Sequence, residues 1–584
     1  MKASIVGGLL LSAGVLSTGS AAAQNTSDRG ATCKEGRIAD VKILTHQVFD
    51  ASKDGALGTL YSIGNSVHFE TRKGFVRREL LFHPGDCIDP LRLSESARLL
   101  RQHGFLKSAT IETVPRGDGT YDVIVDTQDD WTLRFEPRLV FGDRVEFTGI
   151  VLEERSILGT GRALMFAYRN RTTFGAVYSN PQFMKRRWNL ALSAGRTEGG
   201  DYAGGGLSYP FVGLVGRKAG FSVAGYNERW FRFVAGDSPE EHEVIQPFIR
   251  TTAQFGGAVR KAGEVRGRET KLGSLGASIS YERLDYGSLF FNDTTVATEL
   301  GESEQETDSI AQQIFAPRNT LRLNLMFGLQ ALQFIQRRGL TTLDAVEDIP
   351  LGVSGGLMLG IAAPVLGTTD SYVFAGLEGF VGVELSRKWL AVLRGSFESR
   401  RDYDDNAWRD VFGTVEARGF WQLSRRHTVD IGALFSAGWD ATVPFQLTLG
   451  GGEGVRGYSL FRFPGGARAV VSVEERAFLG SIGELFDVGT VVFFDAGRMW
   501  ANEAPFGSNS RLRASVGVGL RFSTPTESRT TYQIELATPL GAGEEGLIFR
   551  VRIGRIGRIE RRPPDFQLER SRDPALRNAL VNLQ

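Results

Sequence analysis

Residues 513–522 read RASVGVGLRF. Ala514, Val516, Val518, Leu520 and Phe522 alternate with Arg513, Ser515, Gly517, Gly519 and Arg521. A period of two is that of a β-strand, whose successive side chains point to opposite faces. Residues 547–554 repeat it, with Leu547, Phe549, Val551 and Ile553 on one face and Arg550 and Arg552 on the other. The alternation begins near residue 131 and runs to Arg555, a stretch of 425 residues. A soluble sheet also alternates, with its apolar face on a core. An open sheet of this length would leave exposed edges and would need helices to cover it. The alternating segments are about as long as the ~9–11 residues with which a tilted strand crosses a bilayer. In lipid every backbone donor and acceptor must be paired internally, so the sheet must close. The fold expected is an all-β transmembrane barrel. At roughly 27 residues per strand and connection it would have about 16 antiparallel strands. Residues 231–262 resist parsing, and direct counting gives about 16 to 18 segments. The inward face is polar and of mixed charge, as suits a water-filled or plugged lumen.

The rest of the chain agrees with this reading. Lys+Arg 68 against Asp+Glu 67 in 584 residues leaves no polyelectrolyte footprint for nucleic acid. A hydrophobic content of 42% excludes disorder for most of the chain. Gly, at 72 residues, is well above the usual ~7% and implies many turns and close approaches. The first 23 residues read as a secretory signal peptide: Lys2, an apolar run from Ile5 to Leu16, and Ala21-Ala22-Ala23 before Gln24. Beyond it there is no run of ~18 apolar residues, so no membrane-spanning helix is expected. A short segment, 24–35, leads into a small mixed domain at 36–130.

In that domain Val41-Lys42-Ile43-Leu44 and Val48-Phe49 read as a strand. Thr71 to Phe82 has helical spacing, with Phe75, Val76, Leu80 and Leu81 as its apolar stripe. Asp89-Pro90 starts a second helix through Leu93, Ala97 and Leu100, and Gly104 ends it. Extended pieces around Ile111 and Val123 flank the turn Gly117-Asp118-Gly119. The order is strand, helix, helix, strand, strand. Cys33 and Cys87 are the only cysteines. In an oxidising compartment a disulfide between them is the favoured expectation, with two buried thiols as the alternative, since sequence does not fix their separation.

Residues 450–458 read GGGEGVRGY. The formal G-x-G-x-x-G from Gly452 to Gly457 is not a dinucleotide site, because Tyr458 to Gly466 does not open a helix. A flexible outer loop explains the glycines but not Arg456 ahead of two acidic strands. Glu474 lies in VSVEE (471–475) and Asp495 in FFDAG (493–497). Carboxylates facing lipid are costly, so both should face the lumen, Asp495 sharing its face with Phe493 and Gly497. Two inward carboxylates on neighbouring strands suit the planar donor fork of one arginine.

VRGY at 455–458, E-x-R at 474–476 and F-x-D-x-G at 493–497 together resemble the BamA/TamA-like outer-membrane assembly superfamily, also called the bacterial surface-antigen family. Leu158-Gly159-Thr160-Gly161 is similar to the approach to that family's first barrel strand. Ser179-Asn180-Pro181-Gln182-Phe183 is similar to the end of its second. The small domain resembles a POTRA domain, especially over Asn65–Asp86 and Ser94–Phe105. The resemblance spans nearly all of the mature chain to about residue 555. It implies a 16-stranded barrel in the outer membrane of a Gram-negative bacterium, with one POTRA-like domain in the periplasm. It implies that the VRGY loop is the sixth outer loop and folds into the lumen, with Val455, Arg456, Gly457 and Tyr458 held by Glu474 and Asp495. Phe493, Gly497, Gly159 and Gly161 would support that lock. The first and last strands would pair weakly and part toward the membrane.

The function implied is that of an insertase or translocase acting through this seam. Its partners would be lipid, unfolded outer-membrane or secreted polypeptides, and periplasmic proteins recruited by the POTRA-like domain. The alternative is a passive channel or surface protein that keeps the fold. No cofactor, metal or enzymatic activity is expected. The six histidines have no metal-like spacing, and there is neither a nucleophile elbow nor a phosphate-binding loop. Three features depart from the family pattern, the first being room for one POTRA domain where the best-known assembly and secretion members have several. Glu475 should face lipid if Glu474 faces inward, which calls for a bulge there or a place near the interface. Residues 556–584 form a charged tail with Pro563-Pro564, Asp573-Pro574 and a short helical pattern through Leu576, Leu580 and Leu583. A solvated periplasmic extension is expected for it.

Overall fold

A computed structural model describes residues 33–52, 56–141, 145–169, 172–236, 243–266, 269–291, 315–451, 454–541, 546–555, 566–576 and 578. The signal-peptide reading, Pro563-Pro564, Leu580 and Leu583 lie outside them.

The N-terminal domain contains β1 (Arg37–His46), α1 (Ala56–Ser66), α2 (Lys73–Glu79), α3 (Pro90–Gln102), β2 (Leu106–Pro115) and β3 (Thr120–Asp129). Its sheet has the order β1-β3-β2, with β1 parallel and β2 antiparallel to β3. The helices bury Phe75, Val76 and Leu100 against Ile38, Val123 and Val125. Asp89 caps α3 by accepting from the Leu91 and Arg92 N–H groups, satisfying donors that a helix start leaves open. Two helices were expected, and three form. The additional one, α1, buries Tyr61, which stacks on Phe49; its Leu60 and Ile63 are exposed, so its amphipathic signal is weak. Cys33 and Cys87 are disulfide-bonded, with Cα atoms 5.3 Å apart.

The remaining strands form one antiparallel sheet. Its first half is β4 (Leu133–Phe141), β5 (Val145–Glu154), β6 (Ala163–Arg169), β7 (Thr173–Phe183), β8 (Trp188–Thr197), β9 (Gly200–Tyr209), β10 (Lys218–Val234), β11 (Glu243–Arg266) and β12 (Glu269–Tyr286). After the two-residue β13 (Phe290–Phe291) come β14 (Arg318–Arg338), β15 (Val346–Ala362), β16 (Tyr372–Ser386), β17 (Trp389–Asp402), β18 (Trp408–Gln422) and β19 (His427–Trp439). The short pair β20 (Leu447–Thr448) and β21 (Pro464–Gly465) lies inside one loop and forms its own sheet. The wall resumes with β22 (Ala467–Ile482), β23 (Phe486–Trp500), β24 (Arg513–Ser523), β25 (Thr530–Leu540) and β26 (Ile548–Arg555). A last helix, α4, is Phe566–Ser571.

The strand order returns from β26 to β4, which makes the sheet a barrel. These two, the last and first strands of the ring, are neighbours in it. The barrel is turned inside out relative to a soluble protein. On β14, Leu323, Leu325, Phe327 and Leu329 are exposed while Arg322, Asn324 and Gln330 are buried. On β24, Val516, Val518 and Leu520 point out, and Ser515 and Arg521 point in. Trp389 and Trp421 stack at the ends of β17 and β18, as aromatic residues do at a membrane interface.

Among the described residues the ring has 21 strands including the two-residue β13, hence 20 full-length ones against the 16 expected. The excess comes from strands packed more tightly along the sequence than ~27 residues each. Six of them, of 7 to 11 residues, fit between Leu133 and Tyr209. The stretch that resisted parsing is the end of β10 and most of β11, whose long ladder spans Lys218 to Val259. Leu158–Gly161 precedes the third ring strand, β6, and Ser179–Phe183 ends the fourth, β7; the hairpin β4–β5 comes before both. The short signal of β4 and β5 does not stand out from the end of the N-terminal domain.

The N-terminal domain lies across one end of the barrel, here the domain end. Arg101 holds Asp348 with both oxygens at 2.7 and 2.8 Å. Ser528 donates to Asp130 at 2.9 Å, and the Leu214 N–H to Glu95 at 2.9 Å. Gly159 and Gly161 belong to this interface and not to the loop lock. Both have positive φ, 68° and 69°. A Cβ on Gly159 would lie 2.0 Å from the Glu70 carbonyl oxygen, and one on Gly161 2.4 Å from the Phe75 ring.

Glu79 is buried at the same interface, beside His103 and within reach of Gln182 and Arg187 on the barrel. Burial raises its pKa, but His103, Arg187 and Gln182 outweigh burial and hold it at about 2, below the ordinary 4.5. A depressed carboxyl pKa stabilises the folded state above the unfolded value, and that contribution is lost as pH falls from about 4.5 to about 2. Docking of the domain, followed by protease sensitivity, is expected to weaken across this window. Glu79→Gln should flatten the dependence, and an unaltered pH profile in that variant would exclude Glu79 as its source.

Candidate functional site

The 440–466 connection between β19 and β22 turns into the barrel. Leu447, Leu449, Val455, Tyr458 and Phe463 are buried in one cluster with Met499 and Val470 of the wall. The loop closes on itself through β20–β21 and the Val455 N–H to the Leu449 carbonyl, 2.8 Å. It joins the fifteenth and sixteenth full-length strands of the ring, so it is the eighth far-end connection, not the sixth. The four additional strands all precede it.

Alternation and ladder register assemble the receptor. Ser472 lies opposite Asp495, and Glu474 opposite Phe493. Asp495 in turn faces Ser515, and Phe493 faces Gly517. Arg456, 3% exposed, lies on this surface. Its Nε and Nη2 donate to the two Asp495 oxygens at 2.6 and 2.7 Å. Its Nη1 reaches Glu474 at 2.5 Å and Glu535 at 2.9 Å, and Nη2 also reaches Ser472 at 3.1 Å. The guanidinium sits 3.5 Å above the centre of the Phe493 ring, a cation–π position. Arg476 holds the far side of Glu474 at 2.5 Å and reaches Asp430 on β19 at 2.6 Å. Three carboxylates face one buried Arg456, and this second arginine shares their charge.

The glycines make room. A Cβ on Gly457 would fall 2.4 Å from Ser515 Cβ and 3.0 Å from the Pro539 nitrogen. One on Gly497 would fall 2.8 Å from Leu449 and 3.0 Å from Val455, and one on Gly517 2.2 Å from Phe493. Tyr458 is buried, its ring 5.4 Å from Phe463 and its hydroxyl toward the Ala514 carbonyl. Val455, Arg456, Gly457, Tyr458, Glu474, Asp495, Phe493 and Gly497 are thus brought together.

Glu535, on β25, is the member that sequence reasoning missed. The run Gln533-Ile534-Glu535-Leu536 alternates, and the cost of a carboxylate in lipid already places Glu535 inward. Its distance from Arg456 along the chain, 79 residues, hides the pairing. Glu475 needs no bulge, because the register shift on β22 lies at Phe478/Gly480. It pairs outward with His427, the first residue of β19, at 2.7 Å. Among the described residues no group of three or more His, Cys, Asp or Glu is placed to hold a metal ion.

An outward apolar wall, an inward polar one and a loop tied into the lumen by a buried arginine define a transmembrane β-barrel of the outer-membrane type. Residues 408–555 match the Omp85 superfamily domain. The match covers β18 to β26 and includes the whole lock. Among solved structures, BamA from Haemophilus ducreyi lacking POTRA domains 1-3 is similar at 15% identity, over 89% of this chain and 84% of that one, with a TM-score of 0.35. CdiB from Acinetobacter baumannii is similar at 13% identity over 89% and 73%, TM-score 0.38. CdiB from Escherichia coli is similar at 12% over 92% of both chains, TM-score 0.37. No curated protein matches the chain.

Proposed function

We propose that this protein is a non-enzymatic outer-membrane insertase or translocase that handles unfolded outer-membrane or secreted polypeptides at the seam between β26 and β4. The N-terminal domain acts as a periplasmic POTRA-like domain that receives clients or partner proteins. The observation that carries the reading is where the lock lies. Arg456 ties the loop to β22, β23 and β25, the wall that leads round to the junction of β26 with β4. A rigid wall beside this junction lets it part while the rest of the barrel holds. The freed edge then templates an incoming strand through its backbone groups.

The test is folding of an unfolded barrel client into liposomes carrying the purified protein, against empty liposomes. Faster client folding supports the proposal. No acceleration, together with steady ion conductance, supports the passive channel instead.

A further inference from the structure

The C-terminal tail was expected in solvent, yet its described part is buried inside the barrel. Arg572 donates to Glu398 at 2.9 Å and to Ser396 at 3.0 Å. Asp573 takes both Arg322 nitrogens at 2.7 and 3.1 Å, and its N–H reaches Glu398 at 2.8 Å. Gln254 donates to the Ala575 carbonyl at 3.1 Å. Ser571 donates to the Pro444 carbonyl at 2.6 Å, and Gln567 accepts the Thr448 N–H at 2.8 Å. Leu568 enters the cluster that holds Val455 and Tyr458. Leu576 packs with Met358 and Phe374. Gly376 makes its place, since a Cβ there would lie 2.5 Å from the Leu576 methyl. The gap left beside Pro574 is about 20 Å³, little more than one water.

Topology makes this arrangement a plug. β26 runs toward the domain end, where the 524–529 turn before β25 meets the N-terminal domain. Arg322 lies near the start of β14 and Glu398 near the end of β17, both in the far half of the barrel. The described part of the tail meets the walls on β11, β14 and β17 as well as the in-folded loop.

We propose that the far half of the lumen is a peptide-binding surface whose resident occupant is the chain's own C-terminus, a displaceable plug that shuts the pore. The surface reads an Arg-Asp pair, Arg572 against Glu398 and Asp573 against Arg322, followed by an apolar residue three positions beyond Asp573 in the Gly376 notch. An uncharged or reversed segment would leave both wall charges unpaired, a large penalty in a site of low dielectric.

The test is single-channel conductance of the full-length protein in planar bilayers. Arg572→Asp/Asp573→Arg/Leu576→Glu alters only the tail and leaves every ladder of the wall intact. Its conductance is expected to rise severalfold over the parent, and a synthetic peptide of residues 566–584 should close it again. A peptide with the two charges exchanged should not. Arg322→Asp alone should open the pore, and Arg322→Asp with Asp573→Arg should shut it. Parental conductance in the triple tail variant would show that the loop alone closes the lumen and would overturn the plug. Equal block by both peptides would overturn the specific surface.

Discussion

Arg456→Ala is expected to lower the stability of the barrel by about 3–5 kcal/mol, the range for removing one partner of a buried ionic cluster. The reason is the charge left behind. Glu474, Asp495 and Glu535 meet at one guanidinium, and without it the three carboxylates face one another with Arg476 on Glu474 alone shared among them. Arg456→Lys should be intermediate, because an ammonium cannot present a planar fork to both Asp495 oxygens and still reach the other two. Adding Glu535→Gln to Arg456→Ala should recover part of the loss, since it removes one of three clustered negative charges. The temperature at which the folded barrel loses its fast gel mobility reads all three. The same variants separate two roles of the loop. A clamp alone predicts a weaker barrel with normal client handling per folded molecule. A working loop predicts lost client handling in a barrel that still folds. If Arg456→Ala keeps both stability and activity, the lock has neither role.

The second large effect is expected in the N-terminal domain. Cys33→Ser with Cys87→Ser should destabilise it by about 2–4 kcal/mol. The bond closes 54 residues, and these contain β1, α1 and α2. A domain this small buries a limited core, so a cross-link weighs heavily in it. The domain's cleavage rate by protease across a urea series gives the comparison. Reductant should move the midpoint of the parent to that of the double variant and leave the double variant unchanged. Equal midpoints for parent and double variant would show that docking on the barrel, through Arg101–Asp348 and its neighbours, already holds the domain.

The sequence by itself determined the inside-out barrel, because a period of two survives in any strand and lipid permits only closed pairing. It also determined Arg456, Glu474 and Asp495 as one constellation. Alternation turns both carboxylates inward on neighbouring strands, and the resemblance carried by VRGY, E-x-R and F-x-D-x-G supplies the arginine that meets them. Helix α3 was legible through its Asp89 cap and Pro90, since a cap is a local interaction. The tertiary structure decided whatever depended on distance around the ring. Glu535 joins Arg456 only once β25 has come round beside β24. Gly159 and Gly161, read as part of the barrel's lock, are instead where the barrel receives the N-terminal domain. The number of strands, and with it the rank of the in-folded loop, follows from tight turns with weak signals of their own. The tail shows the limit most plainly. Charge-rich, it reads as solvated, and only the closed barrel provides Glu398 and Arg322 at the spacing that Arg572 and Asp573 require. Alternation along a strand is written in adjacent residues, whereas complementarity across a lumen exists only after the walls that face it have formed.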